Sequence, residues 1–299
     1  MSTTDFPRFR LLALCSLVTA CVDGAPYGFE PVKAKEDDSY APAVATPDCR
    51  PNNDGIIDQA EMPFVVGVAA HIRVGEGPLF VNPAGFDDNG TQRWDLSTPS
   101  PQSQPLARLE LQKMEGQWFA SSFPTADYAG PLVPGGGILG PLKIDASGVH
   151  LLGSASSKMD APEGRTLLVY DVPVTLYPFP LKEGAQATTH ARASNGTALG
   201  LPFAVTDVYD VAVTGRGTLV LPDMILDNTL RVTLRLRRTP TVGNAVQQVT
   251  HVFVHECLGE VARMVSTLER LCEPVSTSCN TDPIPDNFTT AQQVWRLSL

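Results

Sequence analysis

The sequence predicts a mainly β domain, arranged as an antiparallel β sandwich or a curved open sheet with few short helices. Several stretches alternate apolar and polar residues with a period of two. Turn residues recur throughout, with 26 prolines and 24 glycines among 299 residues. Stretches with a 3.6-residue apolar period are few.

The β signal opens at residues 64–74, an apolar, Val-rich run broken by Gly67, His71 and Arg73. Asp87-Asp88-Asn89-Gly90 reads as a turn. Residues 107–112 and 142–145 alternate, as half-buried strands do when successive side chains point to opposite faces. Residues 210–214 and 218–221 read as two strands, with Gly215-Arg216-Gly217 as the turn between them. The clearest alternation is 230–237. There Leu230, Val232, Leu234 and Leu236 share one face, and Arg231, Thr233, Arg235 and Arg237 the other. This predicts an antiparallel strand with one wet face, the arginines being solvated and balanced by nearby acids. After a loop at 239–244, residues 247–258 form another strand candidate. Residues 260–272 fit a helix, with Val261, Met264, Val265, Leu268 and Leu271 at helical spacing. They fit a strand equally well, with Gly259 as a hairpin turn. Residues 286–299 carry cap residues at Asp286-Asn287 and Thr289-Thr290 and admit a short terminal helix.

Residues 1–20 read as an export signal. Arg8 and Arg10 form a basic start, followed by an apolar run of about 10 residues. A membrane-crossing helix needs roughly 20, and a buried core helix would not carry this basic flank and small-residue exit. Val18-Thr19-Ala20-Cys21 resembles the lipobox, in which small residues precede a cysteine that receives lipid and becomes the mature N-terminus. The resemblance implies lipidation at Cys21 and a chain held outside the cytoplasm, its hydrocarbon in the membrane. Val22 is no acidic retention residue, which favours the outer membrane. Conventional cleavage at the same place would leave a soluble secreted chain. Residues 21–48, rich in Pro, Ala and charge, read as a flexible tether. Residues 49–299 then form a single β-rich domain.

A formal charge of −10 argues against a nucleic-acid partner and against broad adhesion to an anionic membrane. Hydrophobic content of 43% supports a true core. Cys15 leaves with the signal, so Cys49, Cys257, Cys272 and Cys279 are the disulfide candidates, with three possible connectivities. Three of the four lie late in the chain, which predicts a C-terminal staple. A bond from Cys49 to any of them would tie the start of the domain to its end. With no Cys-x-x-Cys pair, zinc is not favoured.

One motif carries candidate metal chemistry. Residues 50–61 resemble a half-EF-hand or dockerin-like calcium loop, with Gly55 at the glycine that permits the sharp turn. The resemblance implies Asn52, Asp54 and Asp58 as side-chain ligands, Ile56 as a carbonyl ligand and Glu61 as the bidentate closing ligand. Ile57 is then the inward hydrophobe. The first position, ordinarily Asp, holds Arg50, and Pro63 stops a long exit helix. The alternative is a turn held by Asx hydrogen bonds and a Cys49 disulfide.

Other motifs carry less. His251 and His255 flank Val252-Phe253-Val254, and in a strand they lie roughly 13 Å apart, too far to share an ion. Gly135-Gly136-Gly137-Ile138-Leu139-Gly140 fits a dinucleotide-loop pattern, but prolines flank it and no βαβ unit surrounds it. No nucleophile elbow or Ser-x-x-Lys spacing is present. Trp118, Phe119, Phe123 and Tyr128 read as core packing rather than a ligand cleft.

Taken together, several segments resemble an uncharacterised group of bacterial envelope lipoproteins. They are the Asn-Asn-Asp-Gly loop running into Glu61-Met62-Pro63-Phe64, then Trp94-Asp95-Leu96-Ser97, Trp118-Phe119-Ala120, 170–174, 179–181 and 257–263. The resemblance implies an address and no activity. The leading expectation is a lipid-anchored envelope protein with a binding or structural role and an unidentified protein or small-molecule partner. A lipid or lipoprotein carrier with a curved sheet is the second reading, and an extracytoplasmic hydrolase the third.

Overall fold

The periodicity resolves into strands that the backbone joins in one sheet. The structure, a computed structural model, describes residues 49–98, 105–271 and 284–298. Cys21, the tether, Cys272 and Cys279 lie outside them. The strands are β1 (Ala69–Phe80), β2 (Phe86–Asp88), β3 (Thr91–Asp95), β4 (Leu106–Glu110), β5 (Gln112–Lys113), β6 (Tyr128–Pro131), β7 (Ile138–Asp145) and β8 (Gly148–Ser156). They continue as β9 (Leu167–Pro178), β10 (Gln186–Ala198), β11 (Leu201–Val220), β12 (Ile225–Pro240), β13 (Val246–His255), β14 (Gly259–Ser266), β15 (Glu269–Arg270) and β16 (Thr290–Leu297). The main path runs β4-β1-β16-β14-β13-β12-β11-β10-β9-β8-β7-β6-β5. From β5 to β14 it is a meander of sequential neighbours, with β16 and β1 completing it.

The ends of that path, β4 and β5, are consecutive in the chain with only Leu111 between them, and Leu111 bridges Val66. The sheet therefore curls until its two edges meet on one segment, a nearly closed, barrel-like form of the predicted curved antiparallel sheet. Strand twist supplies the curl, and bulges in β1, β8, β9, β10 and β11 sharpen it. Closure hides the unpaired edges that an open sheet would expose.

Two local expectations change and one open choice is settled. Of residues 286–299, the described 286–298 form no helix; Thr290–Leu297 is β16, paired to both β1 and β14. The buried Ala291, Val294 and Trp295 side chains have two strand edges between which to fit, and that tertiary pairing outweighs the cap signal. Of residues 260–272, the described 260–271 hold the strands β14 and β15, and Gly259 opens β14 at positive φ after the turn. Gly215-Arg216-Gly217 makes no turn either: β11 runs straight through it. The glycines serve close approach instead. A Cβ on Gly217 would sit 1.9 Å from the Gln92 carbonyl oxygen of β3, which pairs in parallel with β11 there.

The face of β12 predicted to be wet is largely covered. Thr233 is buried, Arg231 donates to Thr214 and to the Pro83 carbonyl, and Arg235 pairs with Asp286 and donates to the Ile284 carbonyl. Strand β13 is buried on both sides. Val249 and Phe253 join a cluster with Trp94, Leu219 and Met264, while Val252 and Val254 join Ile57, Leu181 and Leu230. That explains the near-continuous apolar run Val252-Phe253-Val254.

Buried charge adds specificity to this packing. Asp207 of β11 is fully buried and accepts from Arg238 Nε (2.9 Å) and Nη2 (2.7 Å) on β12, its register partner. Tyr170 of β9 donates to the same carboxylate at 2.5 Å. Its phenol reaches past the intervening strand β10 because the residue opposite Asp207 there is Ala191, with only a methyl group.

Candidate functional site

The most structured candidate is the loop at 49–61, which the fold fixes from four sides. Cys49 is bonded to Cys257, 208 residues on. Of the three possible connectivities, the structure thus contains the one that ties the domain start to the β13–β14 turn. Ile57 is fully buried and exchanges two 2.8 Å backbone hydrogen bonds with Leu181. The Cys257 N–H donates to the Glu61 carbonyl at 2.8 Å. Arg216 donates to the carbonyls of Asn53 and Asp54, its guanidinium lying over Gly55. Gly55 has φ +81°, which favours glycine, and a Cβ there would meet the guanidinium at 2.1 Å and push Arg216 aside.

Within the loop three short polar side chains cap backbone N–H groups. Asn52 Oδ1 accepts from Asp54 N–H, Asp54 Oδ1 from Ile56 N–H, and Asp58 Oδ1 from Ala60 N–H. Asp58 and Glu61 form a reciprocal capping box on the single 3-10 turn Gln59–Glu61. Glu61 Oε1 accepts from Asn52 Nδ2 at 2.9 Å and Oε2 from the Asp58 N–H at 3.1 Å. Asn52, Asp58 and Glu61 are thus brought together, with Asp54 close enough to act on Glu61 electrostatically. Burial holds the Glu61 carboxyl above its ordinary value against the opposing Asp58 N–H, and the charges of Asp58, Glu256 and Asp54 push the same way as burial. Among the described residues no three His, Cys, Asp or Glu side chains already stand as a metal-holding group.

The residue that sequence reasoning missed is Glu256. It is 1% exposed, and its Oε2 accepts from the Asn53 N–H at 2.9 Å. The available signal was its place beside Cys257, once Cys257 is paired with Cys49.

The histidines are structural. His251 and His255 both lie on β13. His251 is stacked on Phe288, with ring centroids 5.3 Å apart, and ends a directed hydrogen-bond chain. Arg231 Nε can only donate, here to Thr214 Oγ1, and the Asp286 carbonyl can only accept, here from His251 Nε2 at 2.6 Å. The Asp286 carbonyl thus fixes a proton on Nε2; with His251 neutral, Nδ1 accepts from Thr233 (3.0 Å) and Thr233 in turn accepts from Thr214 (2.7 Å). A second proton on Nδ1 would oppose the Thr233 hydroxyl. Burial is the main cause holding His251 down at about 4; the Asp286 carbonyl opposes it and the Arg231 charge adds to it.

This fixes a pH dependence. The unfolded chain binds the His251 proton near 6.5 and the folded chain near 4, so stability is lost as pH falls between them. The loss should reach about 3 kcal/mol by pH 4. Urea unfolding from pH 7 to 4 should show a flatter profile for His251→Asn than for wild type; parallel profiles would refute the assignment.

A Ser–His–Asp grouping does occur, in the β7–β8 turn. Ser147 Oγ is 3.1 Å from His150 Nε2, and Asp145 Oδ1 accepts from the Ser147 hydroxyl at 2.5 Å. Asp145 lies 3.3 Å from the same nitrogen, Nε2, while Nδ1 faces Thr175. In a catalytic triad the acid orients the far nitrogen and leaves Nε2 to the serine. Here the acid and the serine share one nitrogen, and Asp145 also caps the Ser147 N–H, so the grouping is a turn cap. Residues 134–136 form a 3-10 turn leading into β7, as a loop should. Phe119 and Phe123 are core, and Trp118 donates to the Ser156 carbonyl beneath Arg165.

Compared with protein-family models, curated proteins and solved structures, the chain matches none of them.

Proposed function

We propose that the protein is a lipid-anchored component of the cell envelope, held outside the cytoplasm through Cys21, probing its surroundings with a β domain in a binding or structural role. The observation that carries this is the stretch 18–21, small residues and a cysteine directly after a short apolar run with a basic start. The Cys49–Cys257 bond supports export, because such bonds persist in oxidising compartments. The acidic balance directs the domain toward cationic groups rather than nucleic acid. The carrier alternative needs an open apolar concavity, whereas the buried apolar side chains pack against one another in five clusters.

Labelling with a palmitate analogue tests the anchor. Wild type should carry label and sediment with membranes, and Cys21→Ser should lose both. Equal incorporation in the variant would overturn the anchor.

A further inference from the structure

The loop at 50–61 lacks the carboxylate that calcium loops place first, since Arg50 stands there. The fold brings another carboxylate against the same loop. Glu256 reaches it from the β13–β14 turn, 203 residues from the Asn53 whose N–H it accepts. Its other oxygen, Oε1, is buried and has no hydrogen-bond partner. An orphaned carboxylate oxygen is costly to bury, and a cation is the partner that would satisfy it. The position is no accident of a mobile side chain. The neighbouring residue, Cys257, is fixed by its bond to Cys49 and by its N–H to the Glu61 carbonyl.

We propose that the loop and Glu256 together form a calcium site, with Glu256 supplying across the fold the carboxylate that Arg50 does not. The donors are side-chain oxygens of Asn52, Asp54, Glu61 and Glu256 and the Ile56 carbonyl, with Asp58 acting through water. All are oxygens, and a mixed set of carboxylates, an amide and a carbonyl suits calcium's irregular shell better than magnesium's strict octahedron. Glu61 now faces Asn52 Nδ2 and the Asp58 N–H, both neutral donors, and binding turns its carboxylate from them to the ion. Arg216 engages the carbonyls of Asn53 and Asp54 and so keeps them out of the donor set. Its charge offsets part of the acidic excess. The site is independent of the anchor at Cys21, and either proposal can fail alone.

The test uses the full chain with its disulfide oxidised, stripped of divalent ions by chelator and titrated with calcium chloride by isothermal titration calorimetry. Melting is followed in parallel. Wild type should bind one calcium per chain and melt higher with calcium than in chelator. Glu256→Gln and Glu61→Gln should each weaken binding by more than roughly tenfold. In chelator Glu256→Gln should melt no lower than wild type, because it removes a buried, half-paired charge; a merely structural Glu256 would show the reverse. If Glu256→Gln does not fold, Glu256→Asp keeps the charge but withdraws it by one carbon, and the same loss of affinity is expected. No heat and no shift in melting for wild type would overturn the site. Wild-type affinity in a folded Glu256 variant would overturn the role of Glu256.

Discussion

Replacing Cys49 and Cys257 with serine together should lower the unfolding free energy by about 5 kcal/mol. The bond closes a span of 208 residues, and the entropy it removes from the unfolded chain grows with the logarithm of that span. The folded state loses little else, because the loop keeps other ties. Ile57 still exchanges hydrogen bonds with Leu181, and Arg216 still holds the Asn53 and Asp54 carbonyls. The loss should therefore appear mainly as a lower urea midpoint. Hydrogen exchange adds a spatial readout: the Ile57 and Leu181 amides should lose protection before those of β11–β13, since the loop is held from outside the sheet ladder. A double-serine variant with the wild-type midpoint would show that the span is already constrained in the unfolded chain.

What could be read from the chain depended on how local the cause was. Alternation at 230–237 and the run 247–258 became β12 and β13 because a strand's side-chain period is a local property. The turn at Asp87-Asp88-Asn89-Gly90 appeared as expected, with Asp87 capping the Gly90 N–H. Misreadings came where a distant segment decided the matter. Gly215 and Gly217 look like turn residues but are small because β3 lies against them, and nothing near them in sequence announces β3. Residues 290–297 have cap residues before them, yet they fill the gap between β1 and β14. The face of Arg231 and Arg235 looked solvated because Pro83, Ile284 and Asp286 cover it from afar. The loop at 50–61 was legible ligand by ligand, since its spacing is local. Glu256 was not, because contacts between residues some 200 positions apart, the Cys49–Cys257 bond and the Cys257 N–H to Glu61, bring it there.

The buried Asp207–Arg238 pair should respond unequally to loss of either partner. Arg238→Ala is expected to cost about 4 to 5 kcal/mol, and Asp207→Ala about 3. The asymmetry follows from access to water. Asp207 is fully buried, so without Arg238 its carboxylate keeps only the Tyr170 hydroxyl as a side-chain donor. The Arg238 side chain is 32% exposed, so without Asp207 the guanidinium can swing its free N–H groups toward solvent. Solvent screening discounts its penalty accordingly. Loss of Asp207 also strands the Tyr170 hydroxyl, which accounts for about 1 kcal/mol of that cost. Removing both charges should cost less than the two single losses combined, because no unpaired ion remains. Unfolding of the two single variants and the double variant measures all three terms. A larger loss for Asp207→Ala than for Arg238→Ala would mean that the guanidinium is held too rigidly by β12 to reach water.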